Sequence, residues 1–247
     1  MKYKYYLAKR SNYLLTLSIF GFLLSTLFST IYSQDHIAKG TVFLDSNGNN
    51  QFDSQEKGLE GVKVSNGVDV VKTDAKGNYK IDLPPESILF ISKPTKYNVP
   101  LNKVQLPQFY YLHFFEGTPK IADWKWATID PTGPLPKTIN FALLDGIQIN
   151  EFKVMGFADP QTTTNEELDM MRKDIIDVLF GNPYKAKFGL VAGDVVNDNL
   201  VLYERHNRLM SQIGIPIWNV PGNHDLNPES PNYEYATQTY KSVFGPD

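Results

Sequence analysis

Three apolar runs, each ending in a turn that carries an oxygen side chain, constrain this 247-residue chain more than any other feature. Phe188 to Ala192 leads into Gly193-Asp194. Ile215 to Val220 leads into Pro221-Gly222-Asn223-His224-Asp225, and Phe152 to Ala158 into Asp159-Pro160-Gln161. Short continuous apolar runs of this kind read as strands buried in a parallel sheet. Glycine at the turn frees the backbone from the Cβ clash of a sharp bend. Open α/β sheets bind their ligands just outside the carboxyl ends of the strands. The pattern therefore predicts one crevice that gathers Asp159, Gln161, Asp194, Asn223 and His224.

Helical periodicity fills the gaps between these runs. Thr164-Asn-Glu-Glu167 is a capping-box sequence, after which Leu168, Met171, Ile175 and Val178 recur at helical spacing until Gly181-Asn-Pro183. Leu202, His206, Leu209 and Ile213 mark a second helix face, closed by Gly214 before Pro216. His206 is expected to be structural, because it sits on that apolar face. Asn197 and Asp198 fall in the loop after Asp194, where Asp198 would either line the pocket or cap the helix starting near Asn199. The order β-α-β-α-β calls for right-handed crossovers and a parallel sheet. Leu226 to Asp247 has no clear period and stops where a further strand is expected.

The motifs Asp159-Pro160-Gln161, Gly193-Asp194 and Gly222-Asn223-His224-Asp225 resemble, in order, those of the calcineurin-like metallophosphoesterase family. That family runs D-x-H, G-D, G-N-H-[DE], then a late histidine and G-H-x-H. Gln161 stands where the family has its first histidine, although an amide oxygen still suits a hard cation. The late motifs do not occur in these residues, so the chain is expected to hold only the first half of the domain and to be inactive by itself. The resemblance implies a hydrolase acting on phosphate mono- or diesters through a water activated by two divalent metals. Asp159, Gln161, Asp194 and Asn223 would be the metal ligands, with Asp194 bridging. His224 would be a general acid rather than a ligand, and Asp225 would orient or charge it. Oxygen-rich ligation with some imidazole suits Mn, Fe, Mg or Zn without ranking them.

Ahead of this domain the texture is all-β. Ala38 to Leu44, Val62 to Asn66, Val68 to Thr73 and Asn78 to Leu83 are short β-prone runs separated by turn signals such as Asn66-Gly67 and Lys76-Gly77. They predict a small β-sandwich. The expected class is thus a multidomain α+β chain: a sandwich-like N-terminal module over 36–145, then a partial α/β phosphoesterase domain over 150–247. The module also resembles those that precede bacterial calcineurin-like domains. Within it Asp45, Asn47, Asn49, Gln51, Asp53 and Glu56 fall at positions 1, 3, 5, 7, 9 and 12 of a loop, the spacing of a calcium site, with Asn50 at the position usually given to glycine. A polar turn bonding its own backbone is the competing reading. Between Lys93 and Phe141 aromatic residues and prolines crowd together. They are expected to pack the module or its seam with the next domain, with His113 structural among them.

Residues 1–33 place Lys2, Lys4, Lys9 and Arg10 before an uncharged apolar stretch, as in a secretory signal. The stretch is also long enough for a retained anchor over residues 11–33. Either reading predicts a secreted, periplasmic or cell-envelope protein, with membrane contact only if the segment stays. The segment holds four positive charges and no acid, so its removal takes the formal charge from −3 to −7. An acidic protein is a poor binder of nucleic acid. The partner expected is therefore a phosphate-ester small molecule or a phosphorylated substrate. A different class competes: a secreted binding or structural module whose phosphoesterase part is vestigial, as Gln161 and the missing motifs would suit.

Overall fold

Alternation along β5 (Asn78–Asp82) shows how the first half of the chain is built: Tyr79 and Ile81 point inward, while Asn78, Lys80 and Asp82 face solvent. The computed structural model describes residues 36–120 and 123–247, so the expected signal or anchor lies outside the described residues. Among the described residues no helix is long and apolar enough to cross a membrane. From Ile37 to Asp247 the chain forms a single unit.

β1 (Ile37–Leu44) pairs antiparallel with β5 and with β2 (Lys57–Gly58), and parallel with β9 (Phe141–Asp145). β7 (Tyr97–Asn98) closes this mixed five-stranded sheet beyond β9. A second sheet runs β4 (Val70–Lys72), β3 (Lys63–Ser65), β6 (Ser87–Ser92), β8 (Tyr110–His113), antiparallel throughout. Val42, Tyr79, Phe141 and Leu143 of the first sheet share one core with Val64, Leu89 and Ile91 of the second. The aromatic stretch divides between this core and the seam. Phe109 and Tyr111 pack against the module's core, whereas Trp126 packs against the second core. Across the seam Phe109 meets Trp218 with ring centres 5.0 Å apart. His113 is buried.

The second half is the β-α-β-α-β unit. β10 (Lys153–Phe157), β11 (Ala186–Ala192) and β12 (Ile217–Val220) pair in parallel in that order. Met155, Val191 and Ile217 pack beneath α1 (Asn165–Met171) and α3 (Tyr203–Met210). Thr164 caps α1 by accepting from the Glu167 amide, as its capping sequence implies. The helix face is not the one expected from simple periodicity. Leu168 and Met171 are buried, but Ile175 and Val178 are exposed and Ile176 is buried instead. A π-helical turn, Arg172–Ile176, follows α1 and leads into α2 (Asp177–Leu179). Its wider turn admits an extra residue, which slips the inward phase by one. Gly214 ends the second helical stretch in the left-handed region, at φ 81°.

The tail forms α4 (Tyr233–Ala236) and α5 (Gln238–Phe244) rather than aperiodic coil. Tyr240 and Phe244, four apart on α5, stack against Tyr203 of α3. On the far face of the parallel sheet Trp218 meets the module, while Val154, Leu190 and Val220 are between 37% and 48% exposed.

Leu202, His206, Leu209 and Ile213 are all buried, as the helical spacing predicts. His206 is fully buried, and neither ring nitrogen meets a hydrogen-bond partner among the described residues. Burial pushes its pKa down to about 4. The folded state therefore holds the imidazole neutral where the unfolded chain would protonate it. Its contribution is intact above the unfolded value near 6.5 and is lost as pH falls toward 4. From that interval we expect a loss of roughly 3 kcal/mol. Urea denaturation between neutral and acid pH checks this: His206→Leu should flatten the dependence, and an equally steep fall in the variant would assign it to other groups.

Candidate metal centre

Backbone hydrogen bonds stitch the three strand ends together before any side chain is considered. The Gly193 amide donates to the Val220 carbonyl at 3.1 Å, and the Gln161 amide to the Asp194 carbonyl at 2.9 Å. Thr162 and Val196 form an isolated parallel bridge beyond the strands. The Asp198 amide donates to the His224 carbonyl at 3.2 Å. These contacts bring the loops bearing Asp159, Gln161, Asp194, Asn223 and His224 together at one end of the sheet, as the sequence predicts.

The backbone there is strained. Asp159, Gln161 and Asp194 have φ of 44°, 43° and 43°, and Asp198 has 55°. A non-glycine residue in this region costs on the order of 1–3 kcal/mol, and such strain gathers at functional sites. Asp tolerates it better than Gln, which lacks the short side chain that bonds locally. Gly222 is required for a different reason. A Cβ there would stand 2.0 Å from Asp194 Oδ1 and 2.4 Å from the Asp194 nitrogen. The end of β12 thus lies directly against the Asp194 carboxylate.

Asp194 is only 6% exposed. Its Oδ1 accepts from the His224 amide at 3.0 Å and its Oδ2 from Gln161 Nε2 at 2.6 Å. His224 Nδ1 lies 3.0 Å from Asp198 Oδ1. That hydrogen bond, with the negative charge of Asp198, Asp194 and Asp225, holds the imidazole above its ordinary pKa. The side chain hydrogen-bonded to His224 is therefore Asp198, where the sequence reading gave the orienting role to Asp225.

Asp225 is spent elsewhere, although its charge does act on His224. It is fully buried; one oxygen accepts from the Val195 and Gly222 amides, the other from the Val196 amide and the Tyr203 hydroxyl. Burial raises its pKa, and these hydrogen bonds oppose the rise. Sequence reasoning missed Asp198 as partner and Tyr203 altogether. The signal for Asp198 was only its place in the Asp194 loop; nothing in the spacing pointed to Tyr203.

The donors suit a hard divalent cation: carboxylates from Asp159 and Asp194, amide oxygens from Gln161 and Asn223. Among the described residues no three His, Cys, Asp or Glu side chains converge, so the two amides are needed to complete the set. Gln161 now turns its amide nitrogen toward Asp194 and would have to turn over to offer its oxygen. Asn223 is exposed at a cleft of about 600 Å³ lined also by Leu226, Tyr233 and Thr237.

Against this geometry, a family model described as the N terminal of calcineurin-like phosphoesterase matches residues 46–127, and one described as calcineurin-like phosphoesterase matches residues 152–246. The chain belongs to the calcineurin-like phosphoesterases. No match appears among curated proteins. Calcineurin-like phosphoesterases are hydrolases that act on phosphate esters with divalent metal ions, and the match over 152–246 contains all five strand-end residues.

The loop of the N-terminal module lies apart from this centre in the sequence. Asp45 is buried, and its oxygens accept from the Gly48, Asn49 and Asn50 amides. Asn50 takes the left-handed conformation, φ 59°, that position 6 requires. Asn47 and Asn49 direct their amide nitrogens to Asp53, while Glu56 accepts from the Ser46 and Asp53 amides. Gln51 donates its backbone N–H to Asn49.

The Gly222 contact gives a direct check on the site's packing. Gly222→Ala should destabilise the chain by about 1–3 kcal/mol, the usual cost of overpacking, because backbone and a short side chain must both yield. Chemical denaturation measures it, and a change within a few tenths of a kcal/mol would mean that β12 ends farther from Asp194.

Proposed function

We propose that the strand-end site hydrolyses phosphate mono- or diesters with two divalent cations. The observation that carries this reading is the meeting of the three loops that bear Asp159, Gln161, Asp194 and Asn223, the first three residues in strained backbone, beside the His224–Asp198 pair. Asp194 stands at the central strand, its carboxylate facing both neighbouring loops, and is the natural bridging ligand. Asp159 and Gln161 would hold one cation, and Asn223 the other. Bound there, the cations would supply a nucleophilic water at neutral pH and neutralise charge on the phosphoryl oxygens. His224, kept protonated more readily by Asp198, would donate a proton to the leaving oxygen. Asp198 orients the ring by fixing its Nδ1 side, which leaves Nε2 for the substrate.

With Asp194 shared, one cation would have three oxygen donors and the other only two, whereas catalytic sites usually take three or more protein ligands each. We therefore expect these 247 residues by themselves to bind manganese weakly and turn over slowly. Asp194→Asn should abolish manganese binding, because one change loosens both sites. His224→Ala should leave bound manganese intact and lower hydrolysis of p-nitrophenyl phosphate by roughly 10²–10⁴-fold. Equilibrium dialysis beside an activity assay tests both. Manganese bound equally by Asp194→Asn, or lost with His224→Ala, would reassign the ligands.

We also propose that the Asp45–Glu56 loop binds calcium as a structural staple. Its support is the inward-facing Asp45 together with the left-handed Asn50 at the position where such loops turn. A ligand that binds only the folded state stabilises it, by about 2.7 kcal/mol at a hundredfold excess over Kd. Thermal melting of the chain should rise with calcium but not magnesium, and Asp45→Ala should remove the rise. Identical melting with and without calcium would make the loop a plain turn.

A further inference from the structure

We propose that Tyr203 is a positioning residue for the metal centre, acting through the buried carboxylate of Asp225. The proposal rests on the metal-centre reading above. It starts from how Asp225 is divided between two loops. Its Oδ2 accepts from the Val195 amide at 3.0 Å and the Gly222 amide at 2.8 Å. Its Oδ1 accepts from the Val196 amide at 3.3 Å and the Tyr203 hydroxyl at 2.9 Å. Val195 follows Asp194, and Gly222 precedes Asn223. One carboxylate therefore spans the loop that delivers the bridging ligand and the loop that delivers the ligand to the second cation.

Tyr203 supplies the only side-chain donor among those four. Without its hydroxyl, Oδ1 keeps one long contact, and the carboxylate plane is held less firmly against rotation about its Cβ–Cγ bond. Rotation would release the Val196 amide and alter the spacing between Asp194 and Asn223. The hydroxyl itself is fixed from behind, because the Tyr203 ring packs edge-on against Tyr240 and Phe244 of α5. Groups that support metal ligands in this way typically alter affinity by 10–100-fold when removed.

The test is manganese titration of the 247-residue chain, followed by electron paramagnetic resonance of the free ion. Tyr203→Phe deletes one oxygen and keeps the ring. Tyr240→Phe is its control, since it deletes a buried hydroxyl from the same aromatic cluster, one with no hydrogen-bond partner among the described residues. All variants are read below their melting temperatures. We expect 10–100-fold weaker manganese binding for Tyr203→Phe and a change of less than about twofold for Tyr240→Phe. Unchanged affinity in Tyr203→Phe, or equal losses in both variants, would overturn the positioning role in favour of packing alone. Manganese binding that survives Asp194→Asn would instead overturn the metal-centre reading, and this proposal with it. Amide hydrogen exchange of the unmodified chain is a second measurement independent of any variant. Slow exchange at Val195, Val196 and Gly222 is expected, and exchange as fast as in exposed loops would show that the carboxylate does not hold them.

Discussion

Parallel pairing of β10, β11 and β12 sets where three loops leave the sheet, and the rest of the site follows from that register. Phe157 lies opposite Val191, and Ala192 opposite Val220, so the strands finish nearly level. Loop residues two to four positions past those ends are then near one another without any long-range adjustment. The Gly193 amide on the Val220 carbonyl, and the Gln161 amide on the Asp194 carbonyl, extend the pairing into the loops themselves. A ladder of this kind is cooperative, since each bond fixes the geometry of the next.

Level strand ends also bring like charges together. Asp159, Asp194, Asp198 and Asp225 come from three short loops, and two of them are buried. Among the described residues this is managed with hydrogen-bond donors rather than with ion pairs to lysine or arginine. Backbone amides of His224, Val195, Val196 and Gly222 point at carboxylate oxygens, the Tyr203 hydroxyl adds a fifth donor, and the Gln161 amide a sixth. Buried charges without such partners are among the most destabilising features a fold can carry. Strained φ at Asp159, Gln161 and Asp194 adds to the cost. Carboxylates and strain gathered at the ends of three strands suit the binding of a cation and agree with membership of a metal-dependent family.

Much of the framework was legible in the sequence because its signals are local. Apolar runs ended by Gly193 and Gly222, the capping residue Thr164, and the face Leu202-His206-Leu209-Ile213 each depend on a few neighbouring residues. The departures are tertiary. Ile176 replaces Ile175 in the core because a π-turn changes the count of residues per turn, which composition does not announce. The helix Gln238–Phe244 forms around Tyr240 and Phe244, whose partner Tyr203 lies far away in sequence. Asp198 rather than Asp225 reaches the His224 ring because the β11 loop folds back over it. Asp225, next to His224 in sequence, turns into the core instead.

The most direct measurement is anomalous diffraction from crystals of the chain grown with manganese. The account predicts anomalous peaks beside the Asp194 carboxylate, with Asp159 and Asn223 oxygens in contact and the Gln161 amide turned so that its oxygen, no longer its nitrogen, faces the site. Crystals that hold manganese only elsewhere, with Gln161 Nε2 still hydrogen-bonded to Asp194, would contradict it.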